Sequence, residues 1–214
     1  MRFYLYCITL AGILLNYASS AQVYLSPSVE IGTGYSTNPD IGWSKLDKVS
    51  YQNVSLNAGY LFHQKIGLFA GIGMSTYSHN FINWDGFSWL TVVEQNRLEI
   101  PLFFHYQTSK KQKVNFAANF GVKMGILTKH SAYNYDGKEM IDAGIDAHKT
   151  NFQQTTSLGV SFKIKKRNFI DIYLFHNLRL TEAYSRVDLP TTGSKLPSQI
   201  NHFGIKTSFS WCRK

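Results

Sequence analysis

The feature that most constrains this chain is a period of two that recurs along it. In the stretch RLEIPLFFHY, residues 97–106, one set of alternate positions is apolar throughout, and the other set contains charged residues, a proline, a histidine and one phenylalanine. The first set is Leu98, Ile100, Leu102, Phe104 and Tyr106, and the second is Arg97, Glu99, Pro101, Phe103 and His105. Successive side chains of a β-strand point to opposite faces, so the pattern predicts a strand whose two faces meet different surroundings.

Seven further segments alternate in the same way. They are residues 23–35, 53–62, 66–77, 113–127, 151–164, 169–180 and 199–211. The less apolar face consists largely of Gly, Ser and Asn, although 169–180 is less regular because Tyr173 shares a face with Asp171 and Arg179. Strands of this length are long for a globular sheet but suit a tilted span of a bilayer. The sequence therefore predicts an all-β fold of eight antiparallel strands.

The connections between these segments alternate in length. Those at 63–65, 107–112 and 165–168 are short, and those at 36–52, 78–90, 128–150 and 181–198 are long. Outer membrane barrels combine short periplasmic turns with long extracellular loops. We therefore predict an eight-stranded antiparallel transmembrane β-barrel with both termini in the periplasm.

The composition of the two faces indicates which one meets lipid. A soluble barrel would carry Lys and Glu on the outer face of nearly every strand, whereas the polar face here is mostly small. Small residues suit the inside of a narrow barrel, where we expect only modest side chains to fit, and the apolar face then meets lipid. Aromatic residues near strand ends suit interfacial girdles; they are Tyr35, Tyr60, Phe62, Tyr106, Phe209 and Trp211. Pro101 has no N–H for a strand ladder, and we expect a bulge near the periplasmic rim to accommodate it.

The N-terminus has the pattern of a secretory signal peptide. Arg2 is followed by an apolar run over 5–15 and by small residues over 18–21, and the apolar run is short for a membrane-spanning anchor. We predict a cleaved signal peptide at 1–21 and a barrel domain at 22–214. Cys212 is the only cysteine of that domain, so an intrachain disulfide is impossible. No later segment reaches 18 consecutive apolar residues, as a transmembrane helix would require.

The net charge of +9 raises the question of partners. An exported chain does not meet nucleic acid, so we expect outer membrane lipids, the outer membrane assembly machinery, and secretion or surface partners instead. No cofactor or metal is expected, because the seven histidines include no short-spaced pair of the H-x-x-x-H kind.

Charged residues on the inward face suggest a site. We predict a lumenal charge network that plugs the barrel in place of an apolar core; its members are Glu30, Arg97, Glu99, Lys123, Arg179 and Lys206. Because the first strand neighbours the eighth and the fourth neighbours the fifth, Glu30 is expected to meet Lys206, and Glu99 to meet Lys123.

Two classes of function remain open. The first is a barrel that acts non-enzymatically through surface loops, in attachment, envelope structure or an accessory role in protein secretion. The alternative is an outer membrane enzyme acting on lipid or peptide at the extracellular rim, with His79, Asp85, His130 and Ser131 as candidates, although no triad spacing supports them. A conductive pore is weaker than either, because eight strands leave an interior filled by side chains.

Three features together resemble a known family. They are the stretch LEIPL at 98–102, the signal ending in Ala21-Gln22, and the eight-strand pattern. In these respects the chain resembles the outer membrane β-barrel family of the Bacteroidota that includes PorT-like proteins. The resemblance covers 22–214 and implies an integral outer membrane location. Within that family, PorT is associated with protein secretion to the cell surface and with gliding.

Overall fold

A computed structural model describes most of the chain after the predicted signal peptide. The described residues are 22–36, 44–63, 65–84, 88–108, 112–133, 145–165, 168–181, 184–187 and 200–213. The predicted signal peptide and the candidate residue Asp85 lie outside these ranges.

The described residues form ten strands. They are β1 (Gln22–Ser36), β2 (Ser44–His63), β3 (Ile66–Trp84), β4 (Ser88–Gln107), β5 (Val114–Tyr133), β6 (Ile145–Ala147), β7 (Thr150–Lys165), β8 (Asn168–Arg179), β9 (Tyr184–Val187) and β10 (Ile200–Arg213). No helix in the described ranges is long and apolar enough to cross a membrane.

Eight of these strands close into a barrel. Their order is β1-β10-β8-β7-β5-β4-β3-β2, and every neighbouring pair is antiparallel, including β1 with β10. The predicted fold class is therefore confirmed. The short strands β6 and β9, which the alternation did not predict, form a separate two-stranded sheet.

The barrel wall is apolar outside and largely polar inside. We call the following outward residues the apolar belt: Val29, Ile31, Val54, Leu56, Ile72, Met74, Ile100, Leu102, Phe104, Phe116, Phe120, Val122, Leu158, Val160, Ile170, Ile172, Leu174, Ile205 and Phe209. Leu174 is 70% exposed, whereas the inward Arg97 is 0% exposed. Soluble monomers rarely expose apolar patches of more than a few hundred Å², so this wall is built to be surrounded by lipid.

Several strands continue beyond the apolar belt. On three neighbouring strands the outward residues become polar at the same level of the barrel: Gln52 pairs with Thr76, and Thr76 pairs with Asn96. The Thr76 hydroxyl also donates a hydrogen bond of 2.9 Å to the side chain of Asn96. The predicted loops at 36–52, 78–90 and 128–150 are therefore too long. The apolar face ends where lipid ends, but the backbone ladder of β2 to β5 remains paired in water with polar side chains on the outside.

The expected bulge at Pro101 is wrong. Pro101 pairs with Lys123 of β5, and the register of β4 against β3 is the same on both sides of the proline. The irregularity in β4 lies between Asn96 and Arg97, against β5. A proline lacks a single ladder donor, and here the strand keeps its register without inserting an extra residue.

Large side chains fit inside the barrel, contrary to the expectation from its small inward residues. Buried apolar side chains, all of them aromatic except Leu61, form two clusters, one of Tyr24, Leu61, Phe69, Phe103 and Phe169 and the other of Tyr51, Tyr77 and Phe175. Glycines make the room: a Cβ on Gly59 would lie 2.2 Å from the Phe69 ring, and one on Gly32 would lie 2.9 Å from Cζ of Phe175. The lumen thus combines polar groups with an aromatic core that the alternation did not reveal.

Candidate functional site in the barrel lumen

Glu30 lies at the centre of the polar lumen. It projects inward from β1, where it pairs in register with Lys206 of β10 and with Asn53 of β2. Its Oε1 is 3.1 Å from Nζ of Lys206, and its Oε2 is 2.5 Å from Nζ of Lys123. Two ammonium groups from strands on different sides of the barrel therefore meet one carboxylate.

Glu99 of β4 provides the second carboxylate. It accepts hydrogen bonds from the hydroxyl of Tyr77 and from Nδ2 of Asn53, the latter at 2.9 Å, and its Oε2 lies 3.9 Å from Nζ of Lys123. The Tyr77 hydroxyl also accepts a hydrogen bond of 2.9 Å from Nε2 of Gln153. Side chains of β2, β3 and β5 thus contact the Glu99 carboxylate, and β7 is connected to it through Tyr77.

Tyr51 connects the two carboxylates. Its hydroxyl oxygen is 2.9 Å from Oε2 of Glu30 and 3.3 Å from Oε2 of Glu99, and it accepts from Nζ of Lys123 at 3.3 Å. The hydroxyl has one hydrogen, so it donates to one carboxylate at a time.

The charges of this cluster balance. Glu30 and Glu99 face Lys123 and Lys206, and all four side chains are at most 10% exposed. A buried charge is tolerated when it is both paired and hydrogen-bonded. We call these four residues with Tyr51, Tyr77 and Asn53 the central network.

The two predicted arginines lie closer to the long-loop end of the lumen. Arg97 donates from Nη2 to Oε1 of Gln95 at 3.1 Å and to the carbonyl oxygen of His148 at 2.9 Å. The guanidinium of Arg179 lies 5.8 Å from the ring centroid of Tyr77. The structure therefore brings four of the six predicted residues into direct contact and places both arginines in a neighbouring layer.

The pairing of Lys123 differs from the expected one. Lys206 lies against Glu30, as register suggested, but Nζ of Lys123 is closer to Glu30 than to Glu99. Lys123 is long enough to reach across the lumen, and neighbour-to-neighbour reasoning along the wall cannot anticipate contacts across the interior.

Aromatic and imidazole rings fill the lumen on the long-loop side of the two carboxylates. The His202 ring centroid lies 4.9 Å from that of Tyr77 and 5.2 Å from that of Tyr51, and His79 stacks on His202 at 6.5 Å. Sequence reasoning missed both tyrosines, because Tyr51 fell in a predicted loop and Tyr77 at a predicted strand end. Tyr51 lies two residues before Asn53, and Tyr77 lies two residues after Ser75. This spacing puts each tyrosine on the same face of its strand as the inward polar residue, and it is the signal that could have identified them.

The rim candidates for catalysis do not occupy loops where the structure describes them. His79 belongs to β3 and is 0% exposed in the lumen, and Ser131 of β5 is 5% exposed. His130 pairs with Gln95 of β4. The predicted loop position of these three residues is wrong, because β3 and β5 extend beyond the apolar belt. No group of three or more His, Cys, Asp or Glu in the described part of the chain could hold a metal ion.

Solved structures with a similar fold are outer membrane or surface proteins. The outer membrane protein OprG from Pseudomonas aeruginosa is 10% identical, with a TM-score of 0.53, over 90% of this chain and 95% of that chain. Neisserial surface protein A (NspA) is 10% identical, with a TM-score of 0.51, over 88% of this chain and 96% of that chain. Because the sequence identity is only 10%, the similarity to these two structures shows a shared fold and nothing further. No protein-family model matches the sequence, and no curated protein matches it.

The closed barrel and its apolar belt have one physical explanation. A lipid-surrounded chain must satisfy every backbone hydrogen bond internally, which a closed barrel does, and its outer surface must be apolar at membrane height. The chain is an outer membrane β-barrel, in keeping with the fold that it shares with OprG.

Proposed function

We propose that this outer membrane β-barrel acts non-enzymatically, through the surface at its long-loop end, in attachment, envelope structure or an accessory role in protein secretion. The observation that carries the proposal is the filled lumen. Six large side chains that project into it are at most 1% exposed: Tyr51, Tyr77, His79, Arg97, Arg179 and His202. A barrel closed by packed side chains offers no water-filled path for solutes.

The extended wall supports an interaction role. Beyond the apolar belt, β2 to β5 keep their ladders and present polar outward residues such as Thr76, Asn96 and Thr128. The sheet of β6 and β9 arises from the chain segments between β5 and β7 and between β8 and β10. A rigid wall that carries such segments past the lipid headgroups is a suitable platform for binding at the cell surface.

The PorT-like resemblance at 98–102 favours the secretion role among the three. The family that the chain resembles includes PorT, which is associated with protein secretion to the cell surface. We propose outer membrane lipids, the assembly machinery and secretion components as partners. The stretch itself is structural here: Glu99 belongs to the central network, while Leu98, Ile100 and Leu102 face outward.

Two measurements test the proposal. Purified protein in planar bilayers should show no steady conductance, because the lumen is closed. Cells in which residues 134–144, between β5 and β6, are replaced by a short Gly-Ser linker should retain the folded barrel but lose secretion or attachment. Replacement of residues 109–111, between β4 and β5, serves as the matched control.

Three results would contradict the proposal. They are a stable conductance, unchanged secretion and attachment in the 134–144 variant, and a change in lipid composition that follows His79→Ala or Ser131→Ala in an otherwise folded barrel. The last result would support an enzyme instead.

A further inference from the structure

A row of polar outward residues borders the apolar wall at its long-loop end. Its four members lie on neighbouring strands and pair in register, so they share one level of the barrel: Gln52, Thr76, Asn96 and Lys129. Two residues nearer the short turns, the outward residues of the same strands also pair in register and are all apolar: Val54, Met74, Leu98 and Ile126. We call the first four residues the polar row. The change from apolar to polar is therefore abrupt and occurs at the same level on four strands.

A β-bulge turns Lys129 to the outside of the barrel. In β5, Leu127 pairs with Arg97 of β4. The next pair is Lys129 with Asn96, so Thr128 is an extra residue in the ladder. Without this bulge the alternation would turn Lys129 towards the lumen. The Thr128 hydroxyl donates a hydrogen bond of 2.9 Å to the backbone carbonyl of Asn96, and Lys129 is exposed on the outer face at the border of the apolar wall.

Asn96 presents hydrogen-bond donors beside this ammonium group. Its Oδ1 accepts a hydrogen bond of 2.9 Å from the Thr76 hydroxyl, so the oxygen is engaged within the wall and Nδ2 carries the donors. Residues directly opposite in an antiparallel ladder have Cβ atoms about 4.5–5.5 Å apart. The Asn96 amide and the Lys129 ammonium are thus close enough to bond to one anion, and a cation with neighbouring N–H donors is the chemistry that binds phosphate oxygens.

An apolar track runs from these donors towards the short turns, on the outer face of β4 and β5. It consists of four successive register pairs: Leu98 with Ile126, Ile100 with Met124, Leu102 with Val122, and Phe104 with Phe120. Asn96 and Phe104 are eight residues apart in β4, which corresponds to roughly 27 Å of strand. One leaflet contributes only about 15 Å of hydrocarbon, so the track is long enough for an acyl chain. Its β4 members are outward residues of RLEIPLFFHY.

The position of the charges favours an anion at the membrane surface. Glu94 is the next acidic residue on the outward face of β4, and it pairs with Ser131. It lies two residues farther from the apolar track than Asn96 does. A headgroup whose acyl chain occupies the track therefore meets Lys129 before it meets the Glu94 carboxylate.

We propose that the polar row and the apolar track form a binding site for an anionic, phosphate-bearing lipid in the leaflet at the long-loop end. The phosphate bonds to Nζ of Lys129 and to Nδ2 of Asn96, and an acyl chain lies along the track. The inference rests on the part of the proposed function that names outer membrane lipids as partners, and it is independent of what the long loops bind. It also gives the outward residues of the LEIPL stretch a role besides that of a lipid-facing wall.

The test uses two photoactivatable lipids that differ only in the headgroup. One is a phosphatidic acid and the other a phosphatidylcholine, and each carries a diazirine on an acyl chain. The mature chain is refolded into phosphatidylcholine vesicles that contain a small fraction of one probe, and the crosslinked residues are mapped by mass spectrometry after irradiation. We expect the phosphatidic acid to label 98–104 and 120–126 about fivefold more than the phosphatidylcholine does, the ratio expected for one lysine at a membrane surface.

Three variants assign this enrichment to the polar row. Lys129→Gln should abolish it, whereas Lys129→Arg, which keeps the charge and the donors, should retain it. Lys65→Gln is the matched control, because it removes an exposed lysine at the opposite end of the barrel and should leave the enrichment unchanged. A mobility difference between unboiled and boiled gel samples shows that each variant is folded.

Three results would overturn the inference. They are equal labelling of the track by the two probes, an unchanged enrichment in folded Lys129→Gln, and loss of the enrichment in Lys65→Gln, which would indicate attraction by the overall charge. The crosslinking measures lipid selectivity alone, whereas the 134–144 variant measures secretion and attachment. Failure of the lipid site is therefore distinguishable from failure of the proposed loop function.

Discussion

Glu99 shows how one residue of an alternating strand acquires a structural role. Its position in RLEIPLFFHY assigns it to the inward face, where an ionised carboxylate needs partners. Tyr77 and Asn53 donate hydrogen bonds to it, and Nζ of Lys123 lies 3.9 Å away. Removal of the carboxylate would leave two buried donors without an acceptor and an ammonium with one fewer counterion.

The first prediction concerns this residue. Glu99→Leu should lower the free energy of unfolding by about 3 kcal/mol, because breaking a buried ionic cluster leaves uncompensated polar groups. Leu102→Ala, on the lipid face of the same strand, should cost less, since Leu102 is 46% exposed to the surrounding phase. Urea titration in detergent measures both, with Glu99→Gln as the isosteric control, expected to lie between wild type and Glu99→Leu. A wild-type midpoint for Glu99→Leu would mean that the central network does not stabilise the barrel.

At the scale of the strand, β4 passes through three environments on its inward face. Phe103 belongs to the aromatic cluster near the short turns, Glu99 to the central network, and Arg97 to the layer towards the long loops. The alternation predicted which residues point inward. It did not predict these layers, because they are assembled from residues of strands far apart in sequence.

The second prediction concerns strand packing at two glycines of β5. A Cβ on Gly121 would lie 2.1 Å from the carbonyl oxygen of Leu102 and 2.5 Å from Cα of Phe103, both in the backbone of β4. We therefore expect Gly121→Ala to cost roughly 1–3 kcal/mol, the usual range for overpacking.

Gly125→Ala is the matched control for this variant. Its Cβ would meet Oδ1 of Asn151 at 2.0 Å, the end of a side chain that can rotate. Its urea midpoint should therefore fall less than that of Gly121→Ala. The reverse order would show that the backbone of β4 yields more easily than the Asn151 side chain.

The third prediction concerns the orientation of the strands. Lys65 is exposed in the short turn between β2 and β3, and Lys149 is exposed at the other end of the barrel, just before β7. In a Cys212→Ser background, an impermeant thiol reagent applied to whole cells should label Lys149→Cys and not Lys65→Cys, because the long loops are expected outside. Labelling of Lys65→Cys alone would invert the topology; labelling of both after lysis is the control.

At the scale of the whole molecule, closure of the barrel is the main reason why we expect the fold to resist unfolding and aggregation. Pairing of β1 with β10 closes the sheet, so that each of the eight barrel strands has a neighbour on both sides at the height of the apolar belt. An open edge is where unfolding and aggregation begin. The lumen adds two interlocked cores, one ionic and one aromatic.

The fourth prediction follows from this closure. The mature protein should fractionate with the outer membrane and migrate at a different apparent mass in unboiled gel samples than in boiled ones. Trypsin should leave the barrel strands intact in detergent before boiling and digest them afterwards. Recovery in a soluble periplasmic fraction would contradict the assignment.

The sequence by itself determined the number of barrel strands, the faces of those strands and the membrane environment. These properties are local: a period of two decides which side a residue takes, and the outward residues of the apolar belt, such as Val54 and Leu174, are apolar because each meets lipid directly. The ends of the strands were harder to predict, because the backbone ladder continues where the outward residues are no longer apolar. For this reason β2 begins as early as Ser44 and β3 ends as late as Trp84.

Only the tertiary structure decided what meets inside the barrel. Barrel closure brings Glu30 of β1 against Lys123 of β5, strands that are not neighbours in the wall. These contacts depend on barrel diameter, strand stagger and side-chain length together. A pattern along one strand carries no information about the opposite wall, so the central network exists only once the barrel closes.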